Sequence, residues 1–195
     1  MSITNKIILV NIAVFLAQIV FPEITPMLAF IPSIAIASAY WQFVTYMFMH
    51  AGIGHILINM FILYIFGNPV ERALGAKNFV LLYFLSGIGS AIFYMLIAGI
   101  SSVSMVGASG AVFGILTAYA FIYPKSIVII FPGIPMPAYL LIIVLFLVET
   151  FFGITGSEPG IANFGHVGGI LTSAIIMIYL RRFKKHSYDF EFFWE

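Results

Sequence analysis

The chain has 195 residues, 63% of them hydrophobic and 8% charged, with a mean hydropathy of +1.14 and a net charge of +1. Soluble globular domains carry roughly 45–50% apolar and 25% charged residues, so this composition predicts a polytopic membrane protein. Near-neutral charge without an extended basic patch argues against nucleic acid as a partner, and the absence of cysteine removes disulfides, Cys-zinc sites and thiol catalysis together.

Apolar runs broken by Pro, Gly and charge predict six helices, over residues 6–21, 51–67, 78–99, 107–123, 136–152 and 164–182. The expected fold class is therefore all-α, a six-span bundle. No Ala-x-Ala-like site closes the first run, which is read as a retained helix rather than a cleaved signal. The fourth run is short, and its Ser-Ser-Val-Ser-Met approach predicts a loop dipping inward, tolerated only where protein or a wet cavity shields its backbone. No repeat or linker divides the chain, so a single domain spanning 1–195 is expected, with a core of about 5–182 and a short cytoplasmic tail, 183–195. The basic part of that tail reads as a topology anchor, with its Phe and Trp placed at the headgroup interface or in a short disordered end.

Orientation follows from the basic residues. With six spans and a cytoplasmic N-terminus, Lys6, Arg72, Lys77, Lys125, Arg181, Arg182, Lys184 and Lys185 all fall on the cytoplasmic side. The connections 22–50, 100–106 and 153–163 contain neither Lys nor Arg. Both termini are thus expected in the cytoplasm. The lipid bilayer is a partner by composition, and a prokaryotic plasma membrane is the expected location.

Spans two, four and six run in the same direction, which puts the polar residues at their starts at similar depth: His50, His55 and Asn59, then Ser109, then Asn163 and His166. Ser109 in "SMVGASGAVFG" has a plain packing alternative, because Gly107, Gly110, Ala111 and Gly114 form a small-residue face. A G-x-S-x-G elbow does not fit, since position 111 is Ala and that turn needs a preceding strand. His166 is a costly ionisable group within a span, which makes it a functional candidate, with an interhelical hydrogen bond as the alternative. "GHVGG" pairs Gly165 with Gly169, and span four pairs Gly110 with Gly114. Two such faces in contact would bring Ser109 within hydrogen-bond reach of His166, the geometry in which histidine takes the serine proton and returns it to a leaving amine. His55 and Asn59 lie one turn apart and can donate to a developing oxyanion, as can the backbone N–H of Ser109 at the start of its helix. Glu149 and Glu158 are not placed beside His166 by sequence, so a Ser-His dyad is expected rather than a triad. A metal site of His50, His55 and His166 is a chemical rival with few carboxylates to support it, and neither a metal nor any other cofactor is expected. A proton-relaying transporter is a further alternative, without the inverted repeats of that class.

These motifs resemble the rhomboid family of intramembrane serine proteases over roughly residues 5–182. The stretches are "WQFVTYMFMHAGIGHILINM", with a loop tryptophan before an H-xxxx-H-xxx-N pattern, then "GNPVERALG", "GASGAVFG" and "GHVGG", in that order. The resemblance implies that Ser109 is the nucleophile and His166 the general base, with His55, Asn59 and the Ser109 N–H forming the oxyanion hole. Phe113, Asn163, His50, Gly107 and Gly110 would support that site. Glu71 and Arg72 would belong to a structural turn, with Glu71 the hydrogen-bonding member. Residues 22–50 would form a membrane-embedded outer loop, while span five and the loop 153–163 would gate and cap the site. Two departures are visible: Gln42 follows Trp41 where the family usually has Arg, and Phe113 stands where a Tyr often stacks on the histidine. The implied activity is cofactor-free cleavage of single-span transmembrane proteins near the outer face, with the site opening to the extracytoplasmic side. A relative that binds transmembrane helices without cutting them is the alternative.

Overall fold

The computed structural model describes residues 1–130, 133–157 and 162–183. In chain order these form α1 (Ile3–Val20), three short helices α2 (Ile24–Leu28), α3 (Pro32–Ala37) and α4 (Gln42–Thr45), then a 3-10 turn (Tyr46–Phe48). There follow α5 (Ile53–Ala98), α6 (Ser109–Ile122), strands β1 (Ile127–Ile130) and β2 (Ile134–Pro137), α7 (Ala138–Thr155) and α8 (Asn163–Phe183). Most of the molecule is helical, as expected.

The β-hairpin corrects the all-α expectation. β1 and β2 pair antiparallel, Ile127 opposite Pro137 and Ile130 opposite Ile134. The β-branched run Ile-Val-Ile-Ile favours a pleated chain, and Pro135 and Pro137 withhold the N–H groups a helix would need.

A second correction concerns the turn between the predicted second and third helices. Helical structure continues through Pro69 to Leu74 and breaks only at Gly75, whose φ of 76° and ψ of 158° lie where residues with a Cβ are strained. Glu71 projects from the helical stretch before this break and accepts from the Ile3 and Thr4 backbone N–H groups, both at 2.8 Å, and from the Thr4 hydroxyl at 2.7 Å. Ser2, the N-cap of α1, accepts from Asn5 N–H and donates to the Asn68 side chain. The free donors at the start of α1 are thereby satisfied, and the N-terminus and the 67–75 turn are held at one end of the molecule. Glu71 takes the role expected of it, while Arg72 is exposed.

Among the described residues, four helices are long and apolar enough to cross a membrane: Ile3–Val20, Ile53–Ala98, Ala138–Thr155 and Asn163–Arg182. At 14 residues α6 is about 21 Å long, short of a hydrocarbon core of roughly 30 Å. It is also the most enclosed helix, packed against both halves of α5 and against α8, with most of its side chains buried. The polarity of the molecule is inverted. Asn11, Gln42, His50, Asn59, Ser86, Ser90, Thr117, Asn163 and Ser173 are buried, while Leu57, Phe61, Leu147, Ile154 and Ile175 face outward. Small residues let the inner helices touch: a Cβ at Gly169 would strike the Gly110 carbonyl oxygen, and one at Gly114 the Ser86 side chain. The predicted small faces therefore meet at Gly110 and Gly169. Gly165 instead faces Ser90 and Met105, so only one member of its pair lies against α6.

Among the described residues, the 22–50 connection is anchored by neutral hydrogen bonds. Gln42, 1% exposed, accepts from Ile31 N–H at 3.0 Å and donates to the Met27 carbonyl at 3.3 Å. Trp41 donates to the same carbonyl at 3.1 Å, and Thr45 to that of Leu28 at 2.8 Å. The polar approach to α6 is pinned to this loop by paired Phe30 and Met105 backbones and by the Gly107 N–H donating to the Tyr46 carbonyl at 3.0 Å. The tail from residue 184 onward and residues 158–161 of the expected capping loop, Glu158 included, lie outside the described residues.

Candidate active site

α6 begins at Ser109 and α8 at Asn163, so Ser109 and His166 both occupy first turns. His166 Nε2 lies 2.8 Å from Ser109 Oγ. The Gly110–Gly169 contact brings the two helix starts together, because backbone meets backbone there with no side chain between. Phe113, one turn beyond Ser109, stacks on the His166 ring at 4.5 Å between centroids and 16° between planes. The ring contact therefore needs no tyrosine hydroxyl.

The edge of the His166 ring away from Ser109 has a partner that sequence did not place. Nδ1 lies 2.8 Å from Glu149 Oε2, on α7, and the Asn163 amide donates to that same oxygen at 2.9 Å. The His166 and Glu149 side chains are only 14% and 12% exposed. Sequence placed no acidic residue beside His166, and the structure brings Glu149 there. The available signal was a carboxylate within a predicted span, which is costly there unless paired. Nothing in the spacing of residues 149 and 166 specified which neighbour it would meet.

Ser109 and His166 line a cavity of about 700 Å³ with His55, Asn59 and Phe113. Ser90 and Tyr94, from the second half of α5, also line it, and no motif or spacing singles them out. Gly107 adopts φ +126°, and a Cβ there would sit 2.7 Å from His55 Cε1 and 3.7 Å from Ser109 Oγ. That glycine leaves the space between the two side chains open. His55 Nδ1 receives the Ala51 N–H at 3.3 Å. Asn59 spends one amide hydrogen on the His55 carbonyl at 2.8 Å, leaving its nitrogen one further donor. At the start of α6 the N–H of Ser109 has no acceptor within its own helix.

His50 is buried outside the cavity lining. It packs edge-on against His55 at 5.1 Å and against Phe15, and its backbone is clasped by both ends of the Gln18 amide. Burial, then the neighbouring His55, push the His50 pKa down to about 4, so its ring is neutral at ordinary pH. Among the described residues no group of three or more His, Cys, Asp or Glu side chains is arranged to hold a metal ion.

A rhomboid domain family model matches residues 37–183. The chain is 31% identical to Rhomboid protease AarA of Providencia stuartii, over 91% of this chain and 72% of that protein. It is 32% identical to Rhomboid protease GluP of Bacillus subtilis (strain 168), over 68% of this chain and 24% of that protein. RHOMBOID-like protein 12, mitochondrial, of Arabidopsis thaliana is 30% identical over 71% of this chain and 46% of its own length. The chain thus spans less than half of the latter two relatives. The matched region contains Ser109, His166 and each of their cavity neighbours, and on these likenesses the chain belongs to the rhomboid family.

Proposed function

We propose that this protein is an intramembrane serine endopeptidase that cleaves single-span membrane proteins in or near their transmembrane segments. The observation that carries the reading is the 2.8 Å contact between Ser109 Oγ and His166 Nε2 at the edge of a cavity that also holds His55 and Asn59. Likeness to two proteins named as rhomboid proteases supports it. The six helical segments are read as six spans with both termini in the cytoplasm, and the cavity as opening to the extracytoplasmic side. That assignment is supported by the distribution of Lys and Arg and by the shared end of α1 and the 67–75 turn.

In this reading His166 Nε2 takes the proton of Ser109 as Oγ bonds to the scissile carbonyl carbon. The carbonyl π electrons pass to the oxygen, which receives hydrogen bonds from the Ser109 N–H, His55 and Asn59. One such donor is worth roughly 2.7–4 kcal/mol to the transition state. As the tetrahedral intermediate collapses, the C–N bond breaks and the imidazolium returns its proton to the leaving amine. Water then repeats the sequence on the acyl-enzyme and restores the Ser109 hydroxyl. A peptide bond in a helix is shielded by the helix's own hydrogen bonds, so the substrate must unwind locally, and Gly or Pro near the bond lowers that cost.

The test is covalent labelling of the purified protein, in detergent and in lipid vesicles, by a fluorophosphonate probe. Wild type is expected to label, and folded Ser109→Ala and His166→Ala variants are expected not to. A folded wild type that fails to label in either medium would overturn the proposal and leave the fold as a binder of transmembrane helices.

A further inference from the structure

Resting on the serine protease reading, we propose that Glu149 is a positioning residue which, braced by Asn163, fixes the tautomer of His166 and carries the counter-charge when that ring is protonated. The argument starts from the bonding capacity of the groups. An ionised carboxylate can only accept hydrogen bonds. A neutral imidazole has one N–H and one lone pair, and the partner of the first nitrogen decides which the second presents. With an ionised Glu149 Oε2 at 2.8 Å, Nδ1 is the nitrogen that carries the proton. The Nε2 lone pair then faces the Ser109 hydroxyl, 2.8 Å away, as a proton acceptor. The opposite tautomer would set an Nε2 hydrogen against that hydroxyl and a lone pair against the carboxylate.

The carboxylate is itself held. Asn163 donates to the same Oε2 at 2.9 Å, which leaves the Glu149 side chain little freedom to turn away from the ring. Three helices contribute: α7 brings the carboxylate, α8 the ring and its brace, and α6 the hydroxyl. Among the described residues, Glu149 from α7 is the carboxylate beside the ring, Ser109 from α6 is its polar neighbour, and His55, Tyr46 and Tyr94 are the other titratable side chains lining the same cavity. Among them Glu149 is the group of opposite charge available to the imidazolium. When the Ser109 proton moves to Nε2, the ring becomes a cation in a shielded place, and the carboxylate across Nδ1 neutralises it without itself taking the proton.

Both hydrogen bonds fall on one oxygen, and this makes the two contributions separable. Glu149→Gln can place its amide oxygen at the position of Oε2 and keep both bonds while losing the charge. Glu149→Leu removes bonds and charge together. The full-length protein in lipid vesicles is labelled with a fluorophosphonate across probe concentrations, so that the maximal labelling rate separates from apparent probe affinity, and thermal unfolding establishes that each variant is folded. Glu149→Leu is expected to lower the maximal rate on the order of 10²-fold and Glu149→Gln about 10-fold, with apparent affinity unchanged. Added formate is expected to restore part of the rate to Glu149→Ala and none to Ser109→Ala. Nitrogen-15 spectra of labelled His166 supply a readout independent of activity: a protonated Nδ1 and bare Nε2 in wild type, with the tautomer redistributed in Glu149→Leu.

Folded Glu149→Leu and Glu149→Gln variants that label at the wild-type rate, with unaltered His166 nitrogen shifts, would overturn the proposal. So would a wild-type spectrum showing Nε2 protonated. If Glu149→Leu does not fold, the nearly isosteric Glu149→Gln variant and the wild-type spectrum decide it. A wild type that does not label, yet shows the Nδ1 tautomer, would overturn the protease reading and not the structural hold of Glu149 on the ring.

Discussion

Replacing Gly169 by Ala tests whether contact between α6 and α8 assembles the site. In a helix interior this change gains about 1 kcal/mol of helix propensity. Here the added methyl would collide with the Gly110 carbonyl oxygen and lie 2.9 Å from the carbonyl carbon, both of them backbone atoms that no rotamer change can move. Relief requires the two helices to part by roughly 1 Å, and overpacking of this kind costs about 1–3 kcal/mol. The net expectation is destabilisation of up to about 2 kcal/mol. The larger effect is on chemistry: Ser109 adjoins Gly110, and His166 lies one turn before Gly169, so the 2.8 Å Ser109–His166 bond stretches past hydrogen-bonding range. A misplacement of about 1 Å at a reacting centre costs on the order of 10²-fold in rate. Fluorophosphonate labelling rates and thermal unfolding of Gly169→Ala are to be compared with those of Gly54→Ala, whose new Cβ meets nothing within 4 Å. Gly54→Ala is expected to leave both properties near wild type. A Gly169→Ala protein with the wild-type labelling rate and unfolding temperature would refute the reasoning.

Gln42→Leu removes the acceptor of Ile31 N–H and a donor to the Met27 carbonyl in a fully buried position, and is expected to cost about 2 kcal/mol. An unchanged unfolding temperature would show that the 22–50 connection is held by other contacts. Phe113→Leu loses the stacked ring on His166, and is expected to slow labelling roughly threefold to tenfold, as about 0.5–1.5 kcal/mol of ring contact implies. Faster labelling would mean that the stack restrains His166 unproductively. For His50, the unfolded chain takes up a proton near pH 6.5, which the folded chain refuses until about pH 4. Stability therefore falls as pH drops through that window, by roughly 3 kcal/mol at most, and this contribution levels off below it. His50→Phe is expected to flatten this part of the acid profile in unfolding measurements between pH 7 and 4, and an unchanged slope would contradict it.

Local rules made much of the molecule legible. Length, hydropathy and the Pro, Gly and charge breaks set the helical segments to within a few residues over most of the chain. Ser109 and Asn163 do begin their helices, and the expectation that Ser109 and His166 meet agrees with the 2.8 Å contact between them. The largest local errors were equally local in cause. Residues 127–137 read as loop and helix start although β-branched and proline residues favour a hairpin, and the second helix reads as ending at residue 67 although the break needs the positive φ that Gly75 supplies.

Sequence by itself determined that this chain is apolar, helical and equipped with a serine, two histidines and an asparagine at the starts of segments running the same way. Periodicity and composition are properties of neighbouring residues, and they survive in a linear reading. Only the tertiary structure decided that Gly169 meets Gly110 while Gly165 turns to Ser90, that Gln42 substitutes neutral hydrogen bonds for a charge, and that Glu149 is the acid behind His166. Each of these depends on the rotation of one helix about its axis relative to another. That angle is fixed by packing across segments far apart in the chain, and no local pattern encodes it.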